Sequence, residues 1–332
     1  MNILIIGKNI DLESSMDYIN IVLPIKEIGN EVILYSFSDN KSENKHKINL
    51  ICNKNSIELI FFIPIADEID FSLVKALTKK YKTLAYFYDD TWRIEYSKLW
   101  ALNVHYIVSS DVNWRLNFND LSDKVIYAPF FVNTLKYSYF PSINKDIDVS
   151  FVGQYHPNRE WIINCLKNKG ISVSVFGKGW SSNSEISHDK MIEIFNRSKI
   201  NLNLSNCVNY NILHLLDFKN NSLMSILKSY KLVLKSLYSS DMKIFEMVKA
   251  RFFEINACRG FQISFYAQGL EHQYSICNDI EVYENMNQLI KKINFYLKNS
   301  DLRETIANSG YIRTLNHHDS KIRLREILMK IQ

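Results

Sequence analysis

The feature that most constrains the fold is an alternation of short, continuously apolar runs with segments of helical periodicity. Apolar runs of strand length occur six times in the first part of the chain, at Asn2–Ile6, Glu31–Phe37, Ile57–Ile65, Thr83–Tyr88, His105–Ser109 and Val125–Ala128. Between them lie helical patterns such as Asp17–Ile28 and Phe71–Tyr81, whereas the charged segment Lys41–Lys47 is predicted to be a solvated loop. Strands that are apolar throughout must be covered on both faces, which intervening helices achieve when the strands run parallel. The pattern therefore predicts a parallel α/β sheet.

The alternation stops near Tyr137–Asp146, where periodicity is lost and turn-forming residues collect. It then restarts. Strands are predicted at Val149–Val152, Ser172–Phe176, Ile200–Leu204, Gln262–Phe265 and Ile280–Tyr283. Helices are predicted at Arg159–Lys169, Asp189–Arg197, Lys249–Cys258, Met286–Lys298 and Asp301–Gly310. A chain of 332 residues also favours two domains of about 150 residues each. We therefore predict two Rossmann-like domains, over residues 1–143 and 144–316, followed by a charged helix over 317–332.

The composition disfavours several functional classes. A net charge of +5 suits a polyanionic small ligand or an anionic membrane surface, but it is too small for a nucleic-acid-binding domain. Five scattered cysteines without a CxxC pair indicate a reducing compartment with neither disulfides nor a zinc site. No apolar stretch approaches the roughly 18 residues that cross a bilayer. We expect a soluble, cytoplasmic protein.

The sequence lacks the motifs of several common enzyme classes. Gly7 follows the first predicted strand, but no GxGxxG surrounds it, and no P-loop occurs elsewhere. NAD and FAD enzymes are therefore disfavoured. HExxH and Gly-x-Ser-x-Gly are also missing, which disfavours zinc proteases and serine hydrolases. Asp146-Ile-Asp148 matches the DxD spelling of some metal sites, but so short a match is weak, and we expect a solvated strand entrance instead.

The strongest candidate site is the stretch from Lys249 to Gln262, in which a helical run ends at a glycine just before a strand. Lys249, Arg251 and Glu254 fall within the helical run, and Gly260 breaks it. Cations neutralise phosphate, while a carboxylate accepts hydrogen bonds from sugar hydroxyls. The helix itself adds its dipole and unpaired N–H groups. The stretch therefore favours a ligand that carries both phosphate and ribose.

A second candidate lies at the end of the predicted strand Val149–Val152. Gly153 and Gln154 follow this strand, and Gly153 would let the backbone approach a ligand whose phosphate meets the N-terminus of the next helix. Arg159 would add a cation. The alternatives are an ordinary turn glycine and a surface arginine.

Two further features carry a functional and a structural interpretation each. Asp90 ends a strand of the first domain, where ligands of open parallel sheets bind, so it is a candidate general base; helix capping or an ion pair would explain it equally.

Leu223–Tyr238 is predicted to be an amphipathic helix with apolar residues at helical spacing and Lys228, Lys231 and Lys235 on its flank. Such a helix either packs on the second domain or contacts an anionic lipid surface.

Several blocks of the second domain resemble one family in the same order. They are Asp148-Val-Ser-Phe-Val-Gly-Gln-Tyr-His-Pro-Asn-Arg159, Val173-Ser-Val-Phe-Gly-Lys-Gly-Trp180, Ser198-Lys-Ile-Asn-Leu-Asn-Leu-Ser-Asn206, Lys249-Ala-Arg-Phe-Phe-Glu-Ile-Asn-Ala-Cys258, Tyr266-Ala-Gln-Gly-Leu-Glu271, Glu281-Val-Tyr-Glu284 and Gly310-Tyr311. Together they resemble the CgeB-like (spore maturation protein) glycosyltransferases over about residues 146–328. The first domain resembles the family mainly through Tyr88-Asp-Asp-Thr-Trp92.

The resemblance implies a GT-B fold, in which two Rossmann-like domains with parallel sheets face each other across a cleft. It also implies that the second domain holds a nucleotide-sugar donor, that no bound metal or other cofactor is needed, and that the last helix crosses back onto the first domain.

The resemblance also assigns roles to individual residues. Glu246 and Glu254 have the spacing of the paired glutamates of retaining GT-B enzymes, so Glu246 would approach the donor sugar and Glu254 the ribose. Arg251 and Lys249 would neutralise the diphosphate. Further donor contacts would come from Arg259, Gly260 and Phe261. Arg259 and Cys277 both depart from glycines of the family pattern, and Arg259 would be either a further phosphate cation or the sign of an impaired site.

The sequence thus predicts a glycosyltransferase that uses a nucleotide-diphosphate sugar and a glycan or lipid-linked acceptor. Asp90, Glu246 and Arg251 are the predicted catalytic residues, and no metal ligand is predicted. The alternative is a catalytically silent nucleotide-sugar-binding or scaffold protein of the same fold. Peripheral contact with the inner face of the membrane is also an open prediction.

Overall fold

The computed structural model describes residues 1–180, 186–205, 217, 219–220, 223–238 and 246–331. Within the helix 223–238 it leaves the side chains of 225, 232–233 and 235–238 undescribed, so the predictions that involve Lys235 fall outside the described residues. The chain forms two compact units, one of Met1–Lys136 with His317–Gln332 and the other of Tyr137–Asn316. The first unit thus combines two distant parts of the sequence, and its first segment ends at Lys136 rather than at residue 143.

The first unit is built on a six-stranded parallel sheet. Its strands, in the spatial order β2-β1-β3-β4-β5-β6, are β1 (Asn2–Gly7), β2 (Glu31–Ser36), β3 (Leu59–Ile63), β4 (Lys82–Tyr86), β5 (Tyr106–Ser109) and β6 (Val125–Tyr127). Alternate residues of β1 enter different cores: Leu4 and Ile6 pack in one hydrophobic cluster, and Ile3 and Ile5 in the other. Because side chains of a strand alternate between the two faces of the sheet, both faces are covered. This explains why the strands are apolar throughout.

Helices cover this sheet, and one of them comes from the other end of the sequence. The helices of the first unit are α1 (Leu23–Glu27), α2 (Lys41–Lys54), α3 (Phe71–Thr78), α4 (Ile94–Ala101) and α5 (Trp114–Phe118), together with α12 (Ser320–Met329). Leu324, Ile327 and Leu328 of α12 are buried in the same cluster as Ile3 and Ile5. The helix is fixed at its start because the Oγ1 of Thr134 donates to Oδ2 of Asp319 at 2.6 Å.

The segment predicted as a charged loop is helical instead. Residues 41–47 form the first half of α2, and the side chain of Asn40 caps this helix by accepting from the backbone N–H groups of Ser42 and Glu43. Lys47 pairs with Glu43 one turn earlier, at 2.6 Å. An N-cap and a charge pair of this spacing stabilise a helix that carries few apolar residues. A solvated helix and a solvated loop have similar compositions, so the prediction was wrong about the backbone.

The second unit contains a five-stranded parallel sheet. Its strands, in the spatial order β11-β10-β9-β7-β8, are β7 (Ile147–Val152), β8 (Ser174–Phe176), β9 (Ser198–Asn203), β10 (Gln262–Phe265) and β11 (Glu281–Tyr283). Its helices are α6 (Pro157–Lys167), α7 (His188–Arg197), α8 (Leu223–Tyr238), α9 (Ala250–Ala257), α10 (Met286–Lys298) and α11 (Ser300–His317), whose last residue belongs to the first unit. Since all five strands are parallel, their carboxyl ends meet at one edge of the sheet, here called the carboxyl edge. The opposite edge is called the amino edge.

Two remaining predictions concern the surface. Asp146 and Asp148, the carboxylates of the DxD spelling, pair with Arg197 and Lys199 at 2.6 Å each. Within the described residues, no helix combines the length and the apolar character that spanning a bilayer would require.

Candidate active site

The carboxyl edge of the second sheet is organised by a close contact between two turns. Gly153 follows β7 and Gly177 follows β8, and a Cβ added at Gly177 would lie 2.4 Å from the carbonyl oxygen of Gly153. Gly177 also has φ +128°, which side-chain-bearing residues rarely adopt. The indole of Trp180 closes the contact by donating to that same carbonyl at 2.8 Å. Gly177 is therefore needed for packing between the turns, and a Cβ added at Gly153 would lie 2.7 Å from Cζ of Phe151.

Arg159 joins the ends of two strands at the same edge. It lies in the first turn of α6, which is capped by the side chain of His156. Its Nε donates to the carbonyl of Leu204 just after β9 at 3.0 Å, and its Nη1 donates to the carbonyl of Gln154 at 2.7 Å. The guanidinium thereby fixes the turn that contains Gly153 and Gln154, and it keeps a positive charge at the carboxyl edge.

The predicted Lys249, Arg251 and Glu254 lie at the start and in the first half of α9. Lys249 is the N-cap residue and lies where the chain enters the helix at the carboxyl edge. Arg251 donates to Oε2 of Glu254 at 2.6 Å, and the hydroxyl of Tyr137 donates to Oε1 at 2.9 Å. The side chain of Glu254 is only 4% exposed. Both carboxylate oxygens therefore have partners inside the unit.

Arg251 is held by apolar neighbours as well. Its guanidinium lies over the ring of Phe195 at 5.1 Å and contacts the sulfur of Met191, both on α7. Burial and the carboxylate of Glu254 raise the pKa of Tyr137 well above its ordinary value, so Tyr137 remains a hydrogen-bond donor. The trio of Tyr137, Arg251 and Glu254 thus fixes α9 against α7. With these two partners and a side chain that is only 4% exposed, Glu254 offers little surface to a ribose.

Arg259, Gly260 and Phe261 lie at the other end of α9. The helix has eight residues, and a rise of ~1.5 Å per residue makes it about 12 Å long. It ends with Arg259 at φ +52°, and the N–H of Gly260 returns to the carbonyl of Ile255 at 2.9 Å. These are the features of a left-handed helix C-cap, and they place the three residues at the amino edge, where β10 begins. The structure therefore does not bring them together with Lys249.

Each of these three residues has a structural role there. A Cβ added at Gly260 would lie 2.9 Å from Nδ2 of Asn201. The ring of Phe261 is buried against Tyr296, with 4.6 Å between centroids. The guanidinium of Arg259 lies over the ring of Tyr139 at 4.8 Å.

A cavity of about 740 Å³ opens at the carboxyl edge beside β10 and β11. Its walls come from α6, from the ends of β10 and β11, from the start of α10 and from Asp217, Lys219 and Asn220. Side chains of mixed character line it, including Trp161, Tyr266, Tyr283, Asn158, Asn285 and Glu246. Apolar and aromatic walls with a few polar groups are typical of small-molecule sites of this size.

Glu246 is the predicted site residue that lines this cavity. Its Oε2 is buried and has no hydrogen-bond partner among the described residues. Burial, together with the negative charge of Glu246, raises the pKa of Tyr283, whereas Arg159 lowers it. Glu246, Tyr283 and Arg159 are therefore close enough to influence one another. A buried carboxylate oxygen without a partner is costly unless a ligand supplies the donor.

Sequence reasoning missed most of the cavity walls. Tyr266 and Tyr283 directly follow or end two strands, so their positions at the carboxyl edge could have marked them as candidates. Trp161 donates its indole N–H to Asp217 at 2.9 Å, a contact between residues 56 positions apart. No local pattern indicates such a pair.

Asp90 belongs to the first unit, whereas the other predicted site residues all belong to the second. It lies just after β4 in a short 3-10 turn, Asp90–Trp92, and is 1% exposed. The hydroxyls of Ser109 and Ser110 both donate to its carboxylate. Burial raises its pKa to about 7, against the hydrogen bonds, which lower it. Asp90 would need to become exposed before it could take a proton from an acceptor.

Comparison with known proteins agrees with this architecture. A family model described as glycosyl transferase-like matches residues 159–329, more than half of the chain. A search of curated proteins finds no match.

Solved structures match both units. Sucrose-phosphate synthase of Thermosynechococcus elongatus aligns over 100% of this chain and 99% of its own, with a TM-score of 0.65 and 9% identity. A glycosyltransferase of Rickettsia africae covers 99% of this chain and 97% of its own, with a TM-score of 0.60 and 12% identity. HepE of Anabaena, solved in complex with UDP, covers 99% and 100%, with a TM-score of 0.58 and 8% identity. At these identities the likeness shows the fold, and it confirms the predicted class of two parallel α/β domains of GT-B type.

Proposed function

The chain belongs to the glycosyl transferase-like family, and we propose that it transfers a sugar from a nucleoside-diphosphate donor to a hydroxyl of a cell-surface glycan or lipid-linked acceptor. In this reaction the bond between the anomeric carbon and the phosphate oxygen breaks, and a bond to the acceptor oxygen forms. The nucleoside diphosphate leaves with its negative charge, and the acceptor hydroxyl loses its proton. We further place the chain near the CgeB-like group, on the ordered blocks of its second unit.

The observation that carries this proposal is the unpartnered oxygen of Glu246 in the cavity at the carboxyl edge. Hydroxyl groups of a donor sugar would supply the hydrogen bonds that Oε2 lacks. Ligands of open parallel sheets bind outside the carboxyl ends of the strands, which is where this cavity lies. HepE, which has the same fold, has been solved with UDP and with UDP-glucose, and this supports a nucleotide sugar as the ligand class.

Lys249 and Arg159 are the cations that we assign to the diphosphate. Both lie at the carboxyl edge, Lys249 as the N-cap of α9 and Arg159 in the first turn of α6. Positive charge there stabilises the charge that develops on the leaving group. The N-terminus of α9 adds the positive end of the helix dipole. Of the two turn residues, Gln154 would present its backbone N–H to the same phosphates, whereas the N–H of Gly153 donates to the carbonyl of Phe176 at 2.9 Å.

We assign Arg251 and Glu254 a positioning role instead of direct contact with the donor. Their ion pair and the hydroxyl of Tyr137 fix the first turn of α9, and with it Lys249. Retention of the anomeric configuration remains a prediction of the family resemblance, and the proposed chemistry needs no metal. The enzyme is proposed to work in the cytoplasm, with peripheral contact at the inner face of the membrane.

The alternative, a catalytically silent nucleotide-sugar-binding or scaffold protein, is no longer favoured by the position of Arg259. That alternative depended on Arg259 narrowing the donor site, but Arg259 lies at the amino edge, one helix length from Lys249. It therefore cannot obstruct a donor at the carboxyl edge.

The proposal is tested by the substitution Glu246→Gln. A thermal-shift screen with UDP, GDP, CDP and dTDP first identifies the nucleotide, because a ligand of the native state raises the melting temperature. With the corresponding sugar nucleotides, we expect Glu246→Gln to lower donor turnover by at least ~100-fold, a typical effect of losing one group that stabilises a transition state. Binding of the free nucleoside diphosphate should change little, because the assigned cations remain.

The control is Glu193→Gln, which removes a carboxylate from surface ion pairs on α7. It should leave turnover unchanged. Full turnover in Glu246→Gln would contradict the assignment, and nucleotide binding without any turnover in the unaltered protein would favour the scaffold.

A further inference from the structure

Helix α8 exposes an apolar stripe on its surface. Leu223, Leu227, Tyr230 and Leu234 are 70%, 50%, 47% and 54% exposed. At ~100° per residue these four positions fall within a strip about 60° wide along one side of the helix. Met224, which is 63% exposed, lies beside the strip. Soluble surfaces rarely expose so many large apolar side chains together without an interaction partner.

The apolar stripe has a buried side and a cationic side. Ile226 and Ser229 are buried, on the side where α8 packs on α6. Lys228 and Lys231 are exposed, and helical spacing places them on the side of the stripe away from the buried residues. No acidic residue occurs between Leu223 and Tyr238. Among the residues of α8 whose side chains are described, the exposed ones are therefore all apolar or positively charged.

This combination fits an anionic bilayer surface better than a second copy of the chain. Two copies of α8 in contact would bring their lysines close together with no carboxylate on either helix to compensate. An anionic headgroup layer matches the lysines, whose long side chains reach headgroups while leucines enter the acyl boundary. A helix of 16 residues is about 24 Å long and, with its buried side on α6, would lie in the plane of the membrane.

The helix is also close to the carboxyl edge. The Nζ of Lys228 lies 5.0 Å from the ring centroid of Tyr155, and Tyr155 belongs to the turn after β7. The backbone N–H of Tyr155 donates to the carbonyl of Lys178, just after β8, at 2.8 Å. Thus α8 is joined to the turns beside which the donor is proposed to bind.

We propose that α8 docks on an anionic lipid surface through Leu223, Leu227, Tyr230 and Leu234, with Lys228 and Lys231 on the headgroups. The docked helix holds the carboxyl edge of the second sheet near the membrane, and the acceptor is therefore a lipid-linked glycan. The choice of acceptor rests on the proposed function, whereas the docking does not.

Docking is tested by sedimentation of the full chain with vesicles. Phosphatidylcholine vesicles that contain phosphatidylglycerol should bind the protein, and vesicles of phosphatidylcholine alone should bind it weakly. Leu227→Asp/Leu234→Asp and Lys228→Glu/Lys231→Glu should each lower the partition coefficient by at least about tenfold, because the first removes apolar burial and the second reverses charge at an anionic surface. Added salt should weaken the binding of the unaltered protein, since it screens exposed charges.

Matched controls separate the helix from general surface effects. Leu116→Asp changes a leucine that is 74% exposed on α5, and Lys79→Glu/Lys80→Glu makes the same change in charge at exposed positions of the first unit. Both should bind vesicles as the unaltered protein does. Equal vesicle binding by the α8 variants and the controls would overturn the proposal.

Two further measurements cover the alternative occupants and the dependence on the proposed function. A concentration-dependent dimer that the Leu227→Asp/Leu234→Asp variant loses, without vesicle binding by the unaltered protein, would assign the stripe to self-association and overturn docking. The melting-temperature rise with nucleotide should be the same in the α8 variants as in the unaltered protein. If vesicle binding is observed and no nucleotide binds, the docking stands while the proposed transferase activity fails.

Discussion

At the scale of single residues, two departures from glycine have the same backbone explanation. Arg259 and Cys277 both have positive φ, +52° and +70°, and these are the positions at which the sequence departs from the glycines of the CgeB-like pattern. The left-handed region costs a residue with a Cβ about 1–2 kcal/mol, and glycine adopts it freely. The positive φ of these two turns therefore accounts for a glycine at either position.

Cys277→Gly should therefore stabilise the protein. Relief of the left-handed backbone outweighs the greater flexibility of glycine in the unfolded chain, so we expect a gain of roughly 0.5–1 kcal/mol in the free energy of unfolding. Urea denaturation measures the change. Cys277→Ala is the control, because it removes the exposed thiol and keeps the Cβ; a similar gain in Cys277→Ala would show that the thiol, not the backbone, was responsible.

Asp90 makes stability depend on pH. Its pKa is raised to about 7 by burial, above the ordinary value of 3.8, so the native state holds a proton that the unfolded state releases between those values. The free energy of unfolding should therefore fall as the pH rises from about 4 to about 7, by up to about 4 kcal/mol. Asp90→Asn, which cannot ionise, should remove most of this slope.

Urea denaturation at pH 5 and pH 7.5 gives the comparison. Asp89→Asn, at the exposed neighbouring position, should retain the slope of the unaltered protein. An equal slope in Asp90→Asn would mean that Asp90 is ionised throughout this range.

At the scale of elements, the periodicity of apolar residues predicted the buried strands and helices, but it gave the wrong secondary structure for a solvent-exposed segment. The prediction for β10 gave the observed bounds, Gln262–Phe265, because every residue of that strand is buried. The stretch 41–47 was taken for a loop, because this half of α2 contains no apolar residue; the buried Ile48 and Cys52 come later in the helix. In α8 the periodicity was correctly found, but a periodic apolar face does not reveal whether protein or another medium covers it. Leu223 and Leu227 belong to that face and are exposed.

The packing of α12 on the first sheet is tested by a substitution near the end of the sequence. Leu324 is fully buried in the same cluster as Ile3 and Ile5 of β1. Leu324→Ala should lower the free energy of unfolding of the first unit by roughly 2–4 kcal/mol, the usual cost of a cavity left by a buried leucine. Met329→Ala, at a position 69% exposed on the same helix, should change it by less than ~0.5 kcal/mol. Equal effects of the two would mean that α12 is not part of the core in solution.

At the scale of the whole molecule, the sequence predicted the class of the fold better than the site. Two parallel sheets follow from alternating apolar and helical segments, whose order along the chain is a local property. The site depends on which ends of these elements meet. Lys249 and Arg259 are ten residues apart in sequence, but α9 places them at opposite edges of the sheet. Glu246 and Tyr283 are far apart in sequence and line one cavity.

The first unit consists of two distant segments of the chain, and this has a consequence for biosynthesis. Its core needs residues 324–328 of α12, which a ribosome adds only after the second unit has been completed. The second unit is one uninterrupted stretch, Tyr137–Asn316, and can close its own sheet as soon as that stretch has emerged. Domains generally fold as units during translation. The second unit should therefore finish folding before the first, although most of the first unit is synthesised earlier. Until α12 has been made, Ile21, Val22 and Ile25 cover only part of that face of the first sheet, and the rest of the face stays open to solvent.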